Sequence, residues 1–194
     1  MGCDIHVYRE KKVGDQWVSA DKWTAYDYGD DDKGVRVEWD DRAYTGRNYT
    51  FFALLSRGVR GEHEFSFEPR GVPFNASPEV ISEVNSWGED GHGASYLYLH
   101  ELKDMAAFLK TETVLVTGMK DPGELAALEA SIASGSPDWN LLFHHCKWSS
   151  NSSYRTFSMD VPSDFYMGTC LAKLIASFDG IDGDNHRAVF FFDN

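Results

Sequence analysis

The chain has few of the features that mark secreted, membrane-bound or nucleic-acid-binding proteins. It contains three cysteines, an odd number at wide spacing, which gives no disulfide framework and favours a reducing compartment. No apolar stretch near residue 1 resembles a signal peptide, so we expect a cytoplasmic protein. Lys and Arg number 18 against 31 Asp and Glu, and a net charge of −13 disfavours direct contact with nucleic acid or anionic membranes.

Common catalytic and cofactor signatures are missing as well. The sequence has neither a phosphate-binding glycine loop of the Walker type nor a Gly-x-Ser-x-Gly nucleophile elbow. The motif His144-His145-Cys146 has no second ligand pair at zinc-type spacing, and adjacent residues rarely bind one ion. We therefore expect no cofactor and no bound metal.

The residues that are present are sufficient for a large core. Hydrophobic residues make up 42% of the chain and aromatic residues 14%. Strand patterns precede a series of helical patterns, and an apolar strand closes the chain, which predicts an α+β fold. We expect a single domain over residues 1–194, with a mainly antiparallel or mixed sheet, the first and last strands adjacent, and the helices packed on one side.

The periodicity also places the individual elements. Strands are predicted over residues 3–9, 17–23, 35–39, 113–116 and 187–192. Helices are predicted over residues 48–56, 78–87 and 97–110, after Asp121, and after Ser163. The stretch 88–93 is predicted as a glycine-rich loop, and residues 141–160 favour no single structure. The last strand has no polar alternation and is expected to be buried on both faces.

The first predicted strand presents polar side chains on one face. Asp4, His6 and Tyr8 are two residues apart, so they project to the same side. An Asp-x-His pair on a strand suits two metal ligands, and all three side chains suit contacts with a bound ligand. The alternative is a polar strand face that contacts solvent.

A second group of candidates lies in and after the stretch 88–93. His92 is flanked by two glycines, whose backbone freedom lets the imidazole be aimed at a ligand. Asp90 would form an acid–base or ligand pair with His92, and Ser95 is a further candidate contact. Together with His6, His92 is a candidate general acid and base for cleavage of a phosphodiester. The alternative is a flexible surface loop.

The clearest sign of ligand binding is a local excess of positive charge. Residues 42–61, the arginine-rich segment, contain four arginines and no acidic residue in a protein of net charge −13. These are Arg42, Arg47, Arg57 and Arg60, and Arg70 follows.

Several of these residues suit an anion. Arg47, Arg60 and Arg70 are expected to hold phosphate, because a guanidinium group can donate two parallel hydrogen bonds to it. Asn48 opens a predicted helix whose N-terminus favours an anion, and Tyr49 offers a stacking face. The alternative is that the arginines pair with the surplus carboxylates.

A set of short motifs is spread along nearly the whole chain. At the ends they are Met1-Gly2-Cys3-Asp4-Ile5-His6 and Val189-Phe190-Phe191-Phe192-Asp193-Asn194. In the middle they are Gly46-Arg47-Asn48-Tyr49, Arg70-Gly71-Val72-Pro73, Asp90-Gly91-His92-Gly93-Ala94-Ser95 and Leu99-His100-Glu101-Leu102. As a set they resemble a family of small proteins encoded by phages and prophages, which more often has Ser where this chain has Gly93. The resemblance implies a viral accessory protein in the bacterial cytoplasm, a class of which many members counter host defences, several by binding or destroying nucleotide immune signals.

These observations support three functions. The first is a phage counter-defence protein that binds a small phosphorylated ligand such as a nucleotide immune signal, with cleavage or sequestration left open. The second is an acidic protein-interaction inhibitor of a host factor. The third is a metal-dependent phosphoesterase that uses Asp4, His6, Asp90 and His92. The expected partner is a small anionic ligand rather than nucleic acid or a membrane, and self-association is left open.

Overall fold

The computed structural model describes residues 2–29, 33–142, 154–180 and 182–193. The chain divides into two compact units, one formed by Met1–Phe108 with Met167–Asn194 and the other by Leu109–Tyr166. That residues 1–194 make one domain stays a prediction. Within the described ranges, every helix is too short or too polar to cross a membrane.

In the described ranges the fold has eight strands and five α-helices. The strands are β1 (Asp4–Val13), β2 (Gln16–Ser19), β3 (Trp23–Asp27), β4 (Lys33–Val37), β5 (His92–Tyr98), β6 (Thr113–Lys120), β7 (Arg155–Pro162) and β8 (His186–Asp193). The helices are α1 (Tyr49–Leu55), α2 (Pro78–Ser86), α3 (Leu99–Leu109), α4 (Pro122–Ala133) and α5 (Thr169–Ala176).

The central sheet of the first unit has the order β2-β1-β8-β5, and every neighbouring pair is antiparallel. β1 and β8 pair from Asp4 opposite Asp193 to Lys11 opposite His186. The predicted α+β class and the predicted adjacency of the first and last strands are therefore confirmed. The apolar content of the two strands explains their central position, because a central strand is covered on both faces.

Helices cover both faces of this sheet, and the expectation that they pack on one side is wrong. Consecutive residues of a strand point to opposite faces, and β8 is buried along both. On one face the ring of Phe192 lies 5.3 Å from that of Phe52 in α1. On the other face Phe191 belongs to a core cluster with Val80 of α2. A strand of this apolar composition requires cover from both sides.

Three of the described strands lie largely or wholly outside the predicted strands. β3 shares only Trp23 with the predicted strand 17–23. β5 begins at His92, within the predicted glycine-rich loop, and pairs with β8 after a register shift between His92 and Ser95. Gly93 adopts a φ of 61° at this irregularity, which explains a glycine inside a strand. In the second unit, β7 occupies part of the ambiguous stretch 141–160 and pairs with β6.

The second unit combines this two-stranded sheet with α4. Asp121 accepts a hydrogen bond from the Gly123 amide at 2.8 Å and caps α4, as the sequence predicts. Leu125 and Leu128 of α4 are buried, as is Val161 of β7.

Candidate anion-binding site

Asp4, His6 and Tyr8 share one face of β1, as their spacing predicts, but most of this face is covered. Tyr8 lies in the core cluster that includes α2, and Trp87 contacts the His6 ring at 4.4 Å. The side chain of His6 is 9% exposed, whereas that of Asp4 is 53% exposed. A solvent-contacting strand face is therefore wrong for His6 and Tyr8.

His6 is held by one carboxylate and two aromatic rings. Its Nε2 lies 3.4 Å from Oδ2 of Asp193, and its ring stacks on Phe191 at 4.7 Å. Burial lowers the pKa of His6, and the hydrogen bond to Asp193 opposes this effect only in part. The imidazole is therefore neutral at pH 7.

Tyr8 uses its hydroxyl within the same covered face. It donates a hydrogen bond to Oε1 of Glu83 at 3.1 Å, and Trp87 Nε1 donates to the same oxygen at 3.4 Å. Burial raises the pKa of Tyr8, with the negative charge of Glu83 adding to the effect. Tyr8 thus stays protonated and anchors α2; a contact of Tyr8 with a ligand stays a prediction.

His92 lies on the other face of the sheet from His6. It pairs with Phe192, and their rings are 6.1 Å apart, whereas His6 stacks on Phe191. Because neighbouring β8 residues face opposite ways, β8 separates the two imidazoles. The two histidines therefore do not face a common site, as the expected acid–base pair would require, and Asp90 ends an exposed short turn, Gly88–Asp90. A catalytic role for either histidine stays a prediction.

Arg47 pairs with Asp4 at the surface. It donates from Nε and Nη2 to the two carboxylate oxygens at 2.7 and 2.5 Å, and Nη1 makes no hydrogen bond among the described residues. The hydrogen bond lowers the pKa of Asp4 and raises that of Arg47. About half of each side chain is exposed. Arg47 is therefore paired with a carboxylate, as predicted by the alternative in which the arginines pair with surplus carboxylates. Its half-exposed guanidinium group can still contact an added anion.

Arg60 and Tyr49 contact each other. The guanidinium carbon of Arg60 lies 5.2 Å from the Tyr49 ring centroid, and its Nη2 donates to the Gly2 carbonyl at 2.9 Å. The Tyr49 hydroxyl accepts a hydrogen bond from the Cys3 amide at 3.3 Å. The aromatic face expected to stack on a ligand thus already contacts an arginine.

Arg70 forms a two-pronged ion pair with Glu101. The distances from Nη1 and Nη2 to the carboxylate oxygens are 2.8 and 2.6 Å, and this hydrogen bonding raises the pKa of Arg70. The Arg70 amide donates to the Ser95 hydroxyl at 3.1 Å. Arg70 and Ser95 thus lie together, but the guanidinium group of Arg70 is hydrogen-bonded to the carboxylate of Glu101.

Part of the arginine-rich segment does line a cleft. The cleft measures about 350 Å³ and is formed by residues 42–48 together with Thr169, Cys170 and Lys173 of α5. Arg42, Arg47 and Lys173 are cationic, and none of the lining residues that the structure describes is acidic. A volume of this size suits a small ligand.

Neutral side chains fix the shape of this cationic cleft. Tyr44 is buried, its ring lies 5.3 Å from that of Phe51, and its hydroxyl interacts with the Cys170 thiol. Burial raises the pKa of Tyr44. A Cβ atom on Gly46 would lie 2.5 Å from the Tyr44 hydroxyl oxygen, so the backbone approaches this ring more closely than other residues allow.

Asn48 caps the helix that it opens. Its Oδ1 accepts a hydrogen bond from the Phe51 amide at 3.0 Å, and its Nδ2 lies 3.7 Å from the Cys170 sulfur. α1 has only seven residues. The side chain of Asn48 therefore occupies the N-terminus of α1, where an anion was expected from the sequence.

Four important side chains were not predicted from the sequence. Asp193 and Glu83 partner His6 and Tyr8, and Tyr44 and Lys173 line the cleft. Lys173 lies three residues after Cys170 in a predicted helix, so helical spacing shows that these two share a face. No local pattern links that face to the arginine-rich segment.

The residues of the expected metal-dependent site do not assemble. Asp4 pairs with Arg47, and His6 and His92 lie on opposite faces of the sheet. In the part of the chain that the structure describes, no three His, Cys, Asp or Glu side chains are grouped to hold a metal. The motif His144-His145-Cys146 lies outside the described residues.

Comparison with known proteins identifies no relative: no family model, no curated protein and no solved structure matches the chain.

Proposed function

We propose that this protein binds a small phosphorylated ligand, such as a nucleotide signal, in the cationic cleft. The observation that carries the proposal is the charge of the lining: Arg42, Arg47 and Lys173 surround about 350 Å³, and the described part of the lining contains no acidic residue. In a protein of net charge −13, the global field repels an anion. Local concentration of positive charge is what such a ligand requires.

The arrangement of Arg47 favours an added phosphate. Asp4 holds the guanidinium through Nε and Nη2 and so fixes its orientation. Nη1 makes no hydrogen bond to the described residues, so it can donate one to a phosphate. A side chain that is already held in place also loses less conformational entropy when a ligand binds. Asp4 is thus a positioning residue in this proposal, and Arg47 is the ligand contact.

The composition of the cleft favours sequestration over cleavage. Among the described residues, its lining includes neither histidine nor carboxylate, the usual general bases, and the two candidate histidines lie on opposite faces of the sheet. In a phage or prophage protein, which the motifs resemble, binding of a host nucleotide signal would counter a bacterial defence.

Titration calorimetry with a panel of linear and cyclic nucleotides tests this proposal. We expect the best ligand to bind wild type and to bind Arg42→Gln and Lys173→Gln about tenfold or more weakly, because each loses a charge-assisted hydrogen bond. Arg155→Gln removes the same charge from an exposed position outside the cleft lining and should bind as wild type does. Chromatography of the ligand after incubation should show no product.

Equal weakening in all three variants would contradict the site, since it would reflect net charge alone. Failure of wild type to bind any panel member would favour the protein-interaction inhibitor instead.

A further inference from the structure

One edge of the cationic cleft carries a large, exposed aromatic side chain. Trp39 opens a short 3₁₀ turn, Trp39–Asp41, and 61% of it is exposed. Arg42 ends this turn, and its guanidinium carbon lies 5.2 Å from the centroid of the Trp39 ring. Because Arg42 also lines the cleft, an anion bound there lies beside an exposed indole.

We propose that Trp39 stacks on the base of a bound nucleotide while the cleft holds its phosphate; this rests on the proposed function. Arg42 lies over the Trp39 ring as Arg60 lies over that of Tyr49, but 61% of Trp39 is exposed against 38% of Tyr49, which leaves indole surface for a base. Flat nucleobases stack on such exposed aromatic faces in proteins that bind single nucleotides or strands. The ligand class is therefore a nucleotide with a free base face, not a sugar phosphate or a polyphosphate.

The charges around Trp39 give the ligand a direction. Asp40 and Asp41 belong to the same turn, and Asp41 accepts a hydrogen bond from Lys22 at 2.9 Å. The carboxylate of Asp40 repels phosphate and that of Asp41 is already paired with Lys22, whereas Arg42, Arg47 and Lys173 attract phosphate into the cleft. An uncharged base fits the side of Trp39, and the phosphate fits the cleft.

The anchoring of Arg42 keeps the two parts of this site together. Arg42 Nε donates to the carbonyl of Val37, the last residue of β4, at 3.4 Å. Val37 is buried in the core cluster with Tyr8. The guanidinium is thus tied to the core through one contact and to Trp39 through another, so base and phosphate contacts are held at a fixed spacing.

A comparison of ligands with and without a base tests this inference. Wild type and Trp39→Leu are titrated calorimetrically with ATP, ADP-ribose and cyclic di-AMP, and with tripolyphosphate and ribose 5-phosphate as base-free probes. We expect Trp39→Leu to weaken binding of the preferred nucleotide about tenfold or more and to leave the base-free probes unchanged. Trp39→Phe, which keeps an aromatic face, should recover part of the loss.

Tyr28→Leu is the matched control, because Tyr28 is also exposed and lies beside a different arginine, Arg36. It should bind every ligand as wild type does. Unchanged nucleotide affinity in Trp39→Leu, or an equal loss for nucleotides and base-free probes, overturns the stacking role while leaving the cationic cleft intact. If wild type binds none of the five compounds, the proposed function fails together with this inference.

Discussion

Glu10 and Arg187 form an ion pair of 2.7 Å in the interior of the first unit, where their side chains are 0% and 2% exposed. Further contacts satisfy both groups: Glu10 accepts the Ser77 amide through its other oxygen, and Arg187 donates to Asn75 at 3.1 Å. The guanidinium also lies over the Trp17 ring, 4.0 Å from its centroid. The pair therefore joins β1 and β8 to the start of α2.

Removal of one member of this pair should be more damaging than neutralisation of both. Arg187→Met leaves a buried, unpaired carboxylate and should lower the free energy of unfolding by about 3–5 kcal/mol. Glu10→Gln keeps an acceptor for the Ser77 amide, so the double variant should be more stable than Arg187→Met alone. Urea unfolding of wild type, Arg187→Met and the double variant measures the three free energies of unfolding. A double variant as unstable as the single one would show that lost packing, not unpaired charge, is the cause.

The aromatic residues at the end of β8 should be essential for stability. Phe191 and Phe192 are almost completely buried, on opposite faces of the sheet. Truncation of either to Ala should cost about 3–5 kcal/mol, from lost burial and from the cavity that remains. Phe74→Ala is the control, because Phe74 is 98% exposed and its loss should change stability by less than about 0.5 kcal/mol. Thermal denaturation of the three variants provides the comparison.

The centre of the fold could be predicted because its signal is local. The unbroken apolar run at residues 187–192 requires cover on both faces, and that places β8 beside other apolar strands. The helix after Ser77-Pro78 likewise begins at its predicted residue. Three of the described strands were missed. The predicted strand 17–23 was not divided into β2 and β3, glycines obscure β5, and residues 141–160, where β7 begins, show no clear period.

The candidate site could be predicted only in part. An excess of charge in residues 42–61 is visible in the sequence, but which arginine meets which carboxylate depends on the folded chain. Asp4 and Glu101 take Arg47 and Arg70, and neither pairing follows from sequence spacing. The contribution of Lys173 to the cleft depends on the position of α5, which periodicity does not reveal.

The free energy of unfolding should fall at acidic pH, because His6 is then protonated in the unfolded chain but not in the folded one. Burial lowers the pKa of His6 below its usual 6.5, against the opposing effects of Asp193 and Glu83 and with the help of Arg42. The unfolded chain therefore binds the proton first, so this contribution is complete above about pH 6.5 and is lost as the pH falls toward the folded pKa. Urea unfolding from pH 8 to pH 5 measures the slope.

The same titration with two variants assigns the slope. His6→Gln should be less stable than wild type at pH 8 and should lose the part of the slope that His6 contributes. Phe74→Ala changes an exposed side chain that does not titrate and should keep the wild-type dependence. If His6→Gln keeps the full slope, another group is responsible.

Changes on the two sides of the Asp4–Arg47 pair should alter anion binding in opposite directions. Arg47→Ala removes a phosphate contact worth about 1.5–3 kcal/mol, which corresponds to roughly ten- to a hundredfold weaker binding. Asp4→Asn keeps a hydrogen-bond acceptor for Arg47 but removes a negative charge beside the anion, so the affinity should increase severalfold.

Calorimetric titration of both variants with the best nucleotide, at low and high salt, measures these changes in affinity. The gain in Asp4→Asn should shrink at high salt because half-exposed charges are screened. Weaker binding in both variants would mean that the two hydrogen bonds by which Asp4 orients Arg47, rather than the charge of Asp4, decide the affinity.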